Sequence, residues 1–242
     1  GIAAIIWVGT AVSLGWAIVI GPFCVLLLRW WRHDGGDPTR PATPAVRFLS
    51  GYAGGTASSQ VLLAGAPIAV AALGGSAALI SITFFTFTIF RAPLTLIFSL
   101  QGRILPFLVG LVGDESRTRL ARIARLVFIG GLGLAFLGAL VGWLVGPEVM
   151  RILLGEEFMP SQVVAMFAAG GVMAAAAAQI TSQVLVAEGR TSRLAWAWLV
   201  GLIVGIGVML AVSGPPDTRV ATGFGVGELA ALTTMAFLAI KS

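Results

Sequence analysis

Charged residues are scarce in this sequence. They make up 10% of its 242 residues, whereas 58% of the residues are hydrophobic. A soluble domain carries about 25% charged residues, so this chain has too few of them to cover a water-exposed surface. The shortage excludes a soluble globular protein and makes the lipid bilayer the expected surroundings of most of the chain.

Cysteine and histidine are nearly absent, with one residue of each. Cys24 has no partner for an intramolecular disulfide, and the pair cannot build a metal cluster. His33 lies beside Asp34 in a polar loop, where we expect a solvated side chain without a role. The sequence also lacks paired catalytic carboxylates, a nucleophile with a histidine base, and a phosphate-binding glycine loop followed by lysine. We therefore expect no enzyme, no metal and no cofactor.

Long apolar runs are abundant instead. Crossing a hydrocarbon core of about 30 Å takes roughly 20 apolar residues as a helix, because every backbone polar group must be satisfied within the segment. The sequence predicts an all-α integral membrane protein of about seven transmembrane helices, near residues 4–31, 48–73, 76–99, 124–146, 161–187, 191–213 and 219–240. Gly74 and Gly75 predict a tight turn between the second and third helices.

The distribution of basic residues predicts the orientation, because lysine and arginine collect in short cytoplasmic loops. Twelve of the fifteen follow the first, third and fifth helices or lie at the C-terminus: Arg29, Arg32, Arg40, Arg47, Arg103, Arg117, Arg119, Arg122, Arg125, Arg190, Arg193 and Lys241. The opposite side holds Arg151 and Arg219 among several acids. We expect the N-terminus outside and the C-terminus in the cytoplasm. The net charge of +5 then reflects topology and not nucleic-acid binding.

Two further patterns concern packing. The stretch 103–108 continues the third helix, and the external stretch 147–158 predicts a short interfacial helix, so we expect both along the membrane surface. Glycines spaced by four let helix backbones approach closely. Such pairs are Gly51 and Gly55, Gly138 and Gly142, Gly201 and Gly205, and Gly223 and Gly227. They predict a compact helical bundle.

Arg91 is the one basic residue in the middle of a predicted membrane helix. A charge there costs roughly 2.5–3.5 kcal/mol and normally faces a watery cavity or a partner. Pro93 favours a kink two residues later, because it removes a backbone hydrogen bond. One hypothesis makes Arg91 an anion site for phosphate or pyrophosphate. The other pairs it structurally with Glu228, the one acid in the middle of a span. A pair that breaks when substrate arrives would be a gate.

Two polar clusters interrupt otherwise apolar helices. The second predicted helix contains Ser58, Ser59 and Gln60, and the fifth contains Gln179, Thr181, Ser182 and Gln183. Such side chains either hydrogen-bond a sugar in a cavity or join helices to one another, and the sequence does not choose between these roles. The candidate substrate-binding residues are thus Arg91, Ser59, Gln60, Gln179 and Gln183, with Glu228 and Pro93 as candidates for coupling or gating.

Three stretches carry a resemblance to a known family. They are Phe90-Arg91-Ala92-Pro93-Leu94 in a helix that runs on to Leu105-Pro106, the external Arg151-Ile152-Leu153-Leu154-Gly155-Glu156-Glu157-Phe158, and Val184-Leu185-Val186-Ala187-Glu188-Gly189-Arg190. Together they resemble the polysaccharide-biosynthesis flippases of the multidrug/oligosaccharidyl-lipid/polysaccharide exporter superfamily. The chain is similar to the second half of such a protein, which has two six-helix lobes.

The resemblance implies that residues 1–31 end a first lobe, 32–47 form a cytoplasmic linker, and 48–242 form the second lobe. It implies alternating access by which a polyprenyl-pyrophosphate-linked oligosaccharide crosses the bacterial inner membrane while its tail stays in the bilayer. Arg91 would hold the pyrophosphate. Membrane lipid and other envelope-polysaccharide assembly proteins would be partners. The alternatives are a cation-coupled multidrug exporter, in which Glu228 binds the cation, and a non-transporting membrane scaffold.

Overall fold

The computed structural model describes residues 43–111 and 117–240. The predicted first helix at 4–31, Cys24, His33 and most of the linker lie outside these residues. Both described ranges are helical and contain no strand. The helices are α1 (Thr43–Ala64), α2 (Ala66–Ala72), α3 (Ala77–Phe90), α4 (Ala92–Gly110), α5 (Arg117–Leu154), a 3-10 turn (Glu156–Phe158), α6 (Gln162–Ala187), α7 (Thr191–Ala211) and α8 (Pro216–Ile240).

Five of the described helices, α4 to α8, are long and apolar enough to cross a membrane, and the bent pair α1 and α2 raises the number to six if it forms one span. The chain is therefore an all-α, multi-pass membrane protein. The predicted seventh span is the segment 4–31, outside the described residues.

Helix α6 is the centre of the bundle. In its most apolar stretch 67% of the residues are buried, compared with 17% in α5 and 28% in α7. It packs against α5 and α8 along most of its length and against α4 over a shorter stretch. Half of its buried residues are alanine or glycine, which lets its neighbours approach closely. Gln179, Thr181, Ser182 and Gln183 of α6 are thereby held inside the protein.

The predicted glycine contacts are confirmed. A Cβ at Gly142 would lie 2.4 Å from the carbonyl oxygen of Ala165, so α5 and α6 touch backbone to backbone there. A Cβ at Gly205 would lie 2.8 Å from the carbonyl oxygen of Gly223, where α7 crosses α8, and one at Gly51 would lie 2.7 Å from the backbone nitrogen of Ser192. A side chain at these positions would push the helices apart.

The predicted second and third helices are not continuous. The second breaks at Gly65, where α1 and α2 meet at a bend of 65°, and the third breaks at Arg91. In both cases a proline, Pro67 or Pro93, stands in the first turn of the following helix. Proline has no N–H to donate and its ring collides with the carbonyl group four residues earlier, so a new helix begins instead. The predicted glycine turn is present, with Gly74 at a φ of 81°.

The prediction that 103–108 continues the third helix is confirmed, whereas the prediction of a separate short helix at 147–158 is wrong. Residues 103–108 belong to α4, which runs without a break to Gly110 and is long enough to cross the membrane. No separate helix begins at Pro147, since α5 continues through it to Leu154. The chain turns only at Gly155, whose φ of 100° favours glycine. The 3-10 turn then connects α5 to α6.

Candidate functional site

Arg91 connects α3 to α4. Its N–H donates to the Phe87 carbonyl at 3.1 Å, and its own carbonyl accepts from the Leu94 N–H at 2.9 Å. The first bond belongs to an α-helical turn and the second to a tighter turn of three residues, so the regular pattern changes at this residue. The side chain is half-buried, and its buried Nε has no hydrogen-bond partner.

Glu228 lies in α8, on the helix that faces α3. Its side chain is 0% exposed, and neither carboxylate oxygen has a hydrogen-bond partner. One helical turn before Glu228, the ring of Phe224 packs edge-on against Phe87 of α3, with centroids 4.9 Å apart. Arg91 follows Phe87 by the same single turn. Arg91 and Glu228 therefore each lie one helical turn beyond the contact between Phe87 and Phe224.

Arg91 and Glu228 attract each other across this contact, but they do not form an ion pair. No guanidinium nitrogen comes within the 4.0 Å that defines one, and both carboxylate oxygens stay without a partner. The structural pair considered as the second hypothesis is therefore not formed in this conformation. A guanidinium group and a carboxyl group therefore lie near each other inside the protein with hydrogen-bonding capacity unused on both sides.

Two threonines of α3 also have buried polar atoms without a hydrogen-bond partner. Thr83 and Thr86 are both fully buried, and their hydroxyl groups have no hydrogen-bond partner. Among the residues that the structure describes, all unpartnered buried side-chain polar atoms belong to these threonines, Arg91 and Glu228. Each such group costs about 1–3 kcal/mol. The threonines were missed in the sequence, although their spacing of three placed them on the helix face that also carries Phe87.

A second polar group joins three helices. The Gln179 side-chain nitrogen donates to the Ser59 hydroxyl at 2.9 Å, and the Gln101 side-chain nitrogen donates to the Gln179 oxygen at 3.3 Å. We call Ser59, Gln179 and Gln101 the polar chain. It connects α1, α6 and α4 inside the bundle. The two predicted polar clusters therefore do meet. Gln101 was missed because the predicted third helix ended at residue 99.

The other predicted polar residues are placed differently. Thr181 and Ser182 donate to carbonyl groups of their own helix, and Gln183 donates to Ser182 at 3.4 Å. Gln183 is 7% exposed, so it is buried beside the polar chain without bonding to it. Gln60 is exposed on the outer side of α1. Hydrogen bonds thus join Ser59 and Gln179, whereas neither Gln60 nor Arg91 bonds to them.

The other stretches of the resemblance hold the ends of helices. Arg151 bonds to Glu148 and lies 3.7 Å from Glu156, and the ring of Phe158 packs edge-on against Phe85 with centroids 5.2 Å apart. At the opposite end of α6, Arg190 pairs with Glu188 at 3.1 Å. Within the described ranges, no group of three or more side chains of the metal-binding types comes together.

The chain is similar to uncharacterized proteins of Mycobacterium bovis and Mycobacterium tuberculosis. Identity is 28% over 228 residues, covering 88% of this chain and 50% of each relative. The chain thus spans about half the length of the curated relatives it matches. No family model and no solved structure matches it. The names of the relatives state no activity, so any functional proposal rests on the arrangement of Arg91, Glu228 and the polar chain.

Proposed function

We propose that this chain is part of a flippase that moves a polyprenyl-pyrophosphate-linked oligosaccharide across the bacterial cytoplasmic membrane by alternating access, without enzymatic chemistry. The observation that carries the proposal is the guanidinium group of Arg91. It lies at a break between two apolar helices, half-buried, with a buried nitrogen that has no protein partner.

An arginine in this position needs a polar ligand, because a charge within a membrane helix is costly unless it faces water or a partner. Glu228 lowers that cost by attraction but does not occupy the guanidinium group. The planar guanidinium fork matches two oxygens of a phosphate or pyrophosphate. An anion that enters from a central cavity would supply the missing hydrogen bonds. The unpaired state of Arg91 therefore supports a transient anionic ligand.

The polar chain supports a sugar-bearing ligand. Ser59, Gln179 and Gln101 offer hydroxyl and amide groups that exchange hydrogen bonds with sugar hydroxyls as readily as with each other. The wider arrangement stays part of the proposal: a first lobe that ends with 1–31, a linker at 32–47, and a second lobe at 48–242 with its C-terminus in the cytoplasm. The relatives are about twice as long as the aligned region, which leaves room for two lobes.

The test measures how the lipid-linked saccharide divides between the two leaflets in cells that carry the complete protein or its Arg91→Ala variant. A lost charged hydrogen bond of about 1.5–3 kcal/mol weakens binding roughly 10- to 100-fold, so we expect precursor to accumulate on the cytoplasmic side. Arg91→Lys should transport partially, because it keeps the charge and loses the planar fork.

The matched control is Arg103→Ala, which removes the same charge from an exposed position on α4. It should leave the distribution unchanged. Equal amounts of folded protein in the membrane are confirmed first for every variant. If the Arg91→Ala cells export saccharide normally, the anion site at Arg91 is wrong.

A second candidate is a cation-coupled exporter of the same superfamily. The observation that favours it is Glu228, a fully buried carboxylate without a hydrogen-bond partner. Such a group binds a proton or a small cation more readily than a carboxylate that is already paired. Both candidate functions use residues near the α3–α8 contact. In the flippase Arg91 binds an anionic substrate, whereas in the exporter Glu228 binds a cation.

A further inference from the structure

An apolar cavity of about 530 Å³ lies beside the bend between α1 and α2. Both arms of the bend line it, from Gln60 to Ala72, and α7 and α8 complete it with residues such as Ile206, Met209 and Phe224. Its volume is in the range of sites that bind small molecules. It is separate from Arg91 and Glu228, neither of which lines it.

The mouth of this cavity is apolar and lies at the exposed surface of the described helices. Val61, Ile68 and Ile206 are 55%, 74% and 45% exposed and line the cavity. Water does not fill a space with apolar walls, because it needs two to four polar partners there. In a membrane protein the natural occupant is a hydrocarbon chain, which exchanges freely with the surrounding lipid.

One lining residue departs from this composition. Among the described residues that line the cavity, Gln60 alone has a polar side chain, and it makes no hydrogen bond to the described part of the chain. It stands near the middle of the bent pair Val46–Ala72, where an exposed amide is costly without a partner. Its neighbour Ser59 turns inward and accepts from Gln179. On α1, Ser59 therefore faces the polar chain, and the next residue, Gln60, faces the apolar cavity. Both residues lie in mid-span.

This position distinguishes two kinds of lipid. An ordinary phospholipid keeps its polar atoms at the membrane surface, so its chain offers nothing to an amide in mid-span. A lipid-linked saccharide in transit carries its pyrophosphate through the middle of the membrane, with the hydrocarbon chain attached directly to it. On the basis of the proposed function, we infer that the cavity binds the first part of the polyprenyl chain of the substrate at a stage of transport at which the pyrophosphate lies beside Gln60 and has left Arg91.

The experiment uses the complete protein in lipid nanodiscs and two photoreactive probes. One is a polyprenyl diphosphate with a diazirine near the start of its chain, and the other is a phospholipid with a diazirine in its acyl chain. Labelled peptides are identified by mass spectrometry. We expect the polyprenyl probe to label the cavity walls of α2 and α7, and an excess of unlabelled polyprenyl diphosphate to prevent this labelling.

Two variants and a control sharpen the test. Ala64→Phe fills the cavity from an exposed lining position and should lower polyprenyl labelling about tenfold. Gln60→Leu should weaken polyprenyl diphosphate binding without changing phospholipid labelling. Ala78→Phe adds the same ring at an exposed position on α3 that does not line the cavity, and it should have no effect.

Each other outcome overturns the inference in a recognisable way. Equal labelling of the cavity by both probes, reduced alike by Ala64→Phe, would mean that ordinary bilayer chains occupy it. Binding of polyprenyl diphosphate with labelling elsewhere would reject the cavity and leave the proposed flippase intact. No detectable binding of polyprenyl diphosphate to the complete protein would reject both.

Discussion

The glycine crossings of the bundle and the contact of α3 with α8 are built in different ways. Where α5 meets α6 and α7 meets α8, backbones touch through glycine and alanine, and the described side chains are apolar or satisfied. Where α3 meets α8, two phenylalanines pack together, but an arginine and a glutamate keep unused hydrogen-bonding groups, as do two buried threonines of α3. The first kind of contact stabilises the fold. In the second kind of contact, polar groups lack hydrogen-bond partners, which a ligand or a movement of the helices would supply.

The largest effect is expected from a break in the glycine contacts. Gly142→Val would place a side chain against the carbonyl oxygen of Ala165, only 2.4 Å from where the new Cβ would lie on the native backbone. Overfilling a packed contact costs about 1–3 kcal/mol or more, so the free energy of unfolding should fall by that amount. Unfolding in mixed micelles measures it.

Gly133→Val is the matched control for this prediction, because a Cβ at Gly133 would meet nothing within 4 Å. It lies on the same helix and should keep the stability of the unmodified protein. Equal losses in both variants would show that the α5–α6 crossing is not the tight contact that the glycines indicate.

A smaller effect is expected at Glu228. Glu228→Gln removes the cost of burying a carboxyl group without a partner but also its attraction to Arg91, so the free energy of unfolding should change by less than about 1 kcal/mol. On the second candidate function, cation-driven export should be lost in the same variant, because an amide does not take up a proton or a cation. Thermal unfolding and dye export measure the two effects.

Glu188→Gln serves as the comparison, because Glu188 is already paired with Arg190 at 3.1 Å. It should not gain stability. A loss of more than about 1 kcal/mol in Glu228→Gln would mean that the carboxyl group has a close partner in the membrane, and the α3–α8 contact would then be as satisfied as the glycine contacts.

The smallest effect concerns the polar chain. Hydrogen bonds between membrane helices average about 0.6 kcal/mol in double-mutant cycles, so Ser59→Ala and Gln179→Leu should couple by that small amount. A cycle of unfolding free energies measures the coupling. A cycle that pairs Ser59→Ala with Thr181→Val should show none, because Thr181 bonds only to its own helix. Coupling well above about 1.7 kcal/mol would make the chain a structural joint and argue against its availability for a sugar.

The two kinds of contact were not equally predictable from the sequence. The glycine pairs were found from spacing alone, because close helix contact needs small residues on one face and that pattern is local. The broken helices were missed in two places. At Gly65 the apolar composition continues unchanged through the bend, and the signal was Pro67, which stands in the first turn of α2. At Arg91 the sequence predicted a kink, whereas the structure begins a new helix.

For the candidate residues too, local patterns in the sequence did not predict contacts between distant positions. Ser59 and Gln179 were proposed separately, and their hydrogen bond joins positions 120 residues apart, which no local pattern predicts. The relation between Arg91 and Glu228 was predicted as a possible pair, and the structure brings the two helices together without closing the ion pair. Gln60 was grouped with Ser59 because they are adjacent, yet adjacent helical residues point about 100° apart.

The sequence by itself determined that this is a membrane protein, because its long apolar runs and few charged residues are not compatible with a surface exposed to water. It also determined which residues are anomalous there, since a charge or amide within such a run is costly wherever the helix lies. Only the tertiary structure decided which anomalies are satisfied. Hydrogen bonds between α1, α4 and α6 and the unpaired charges between α3 and α8 depend on distances across the bundle, and those follow from packing and not from the order of residues along one helix.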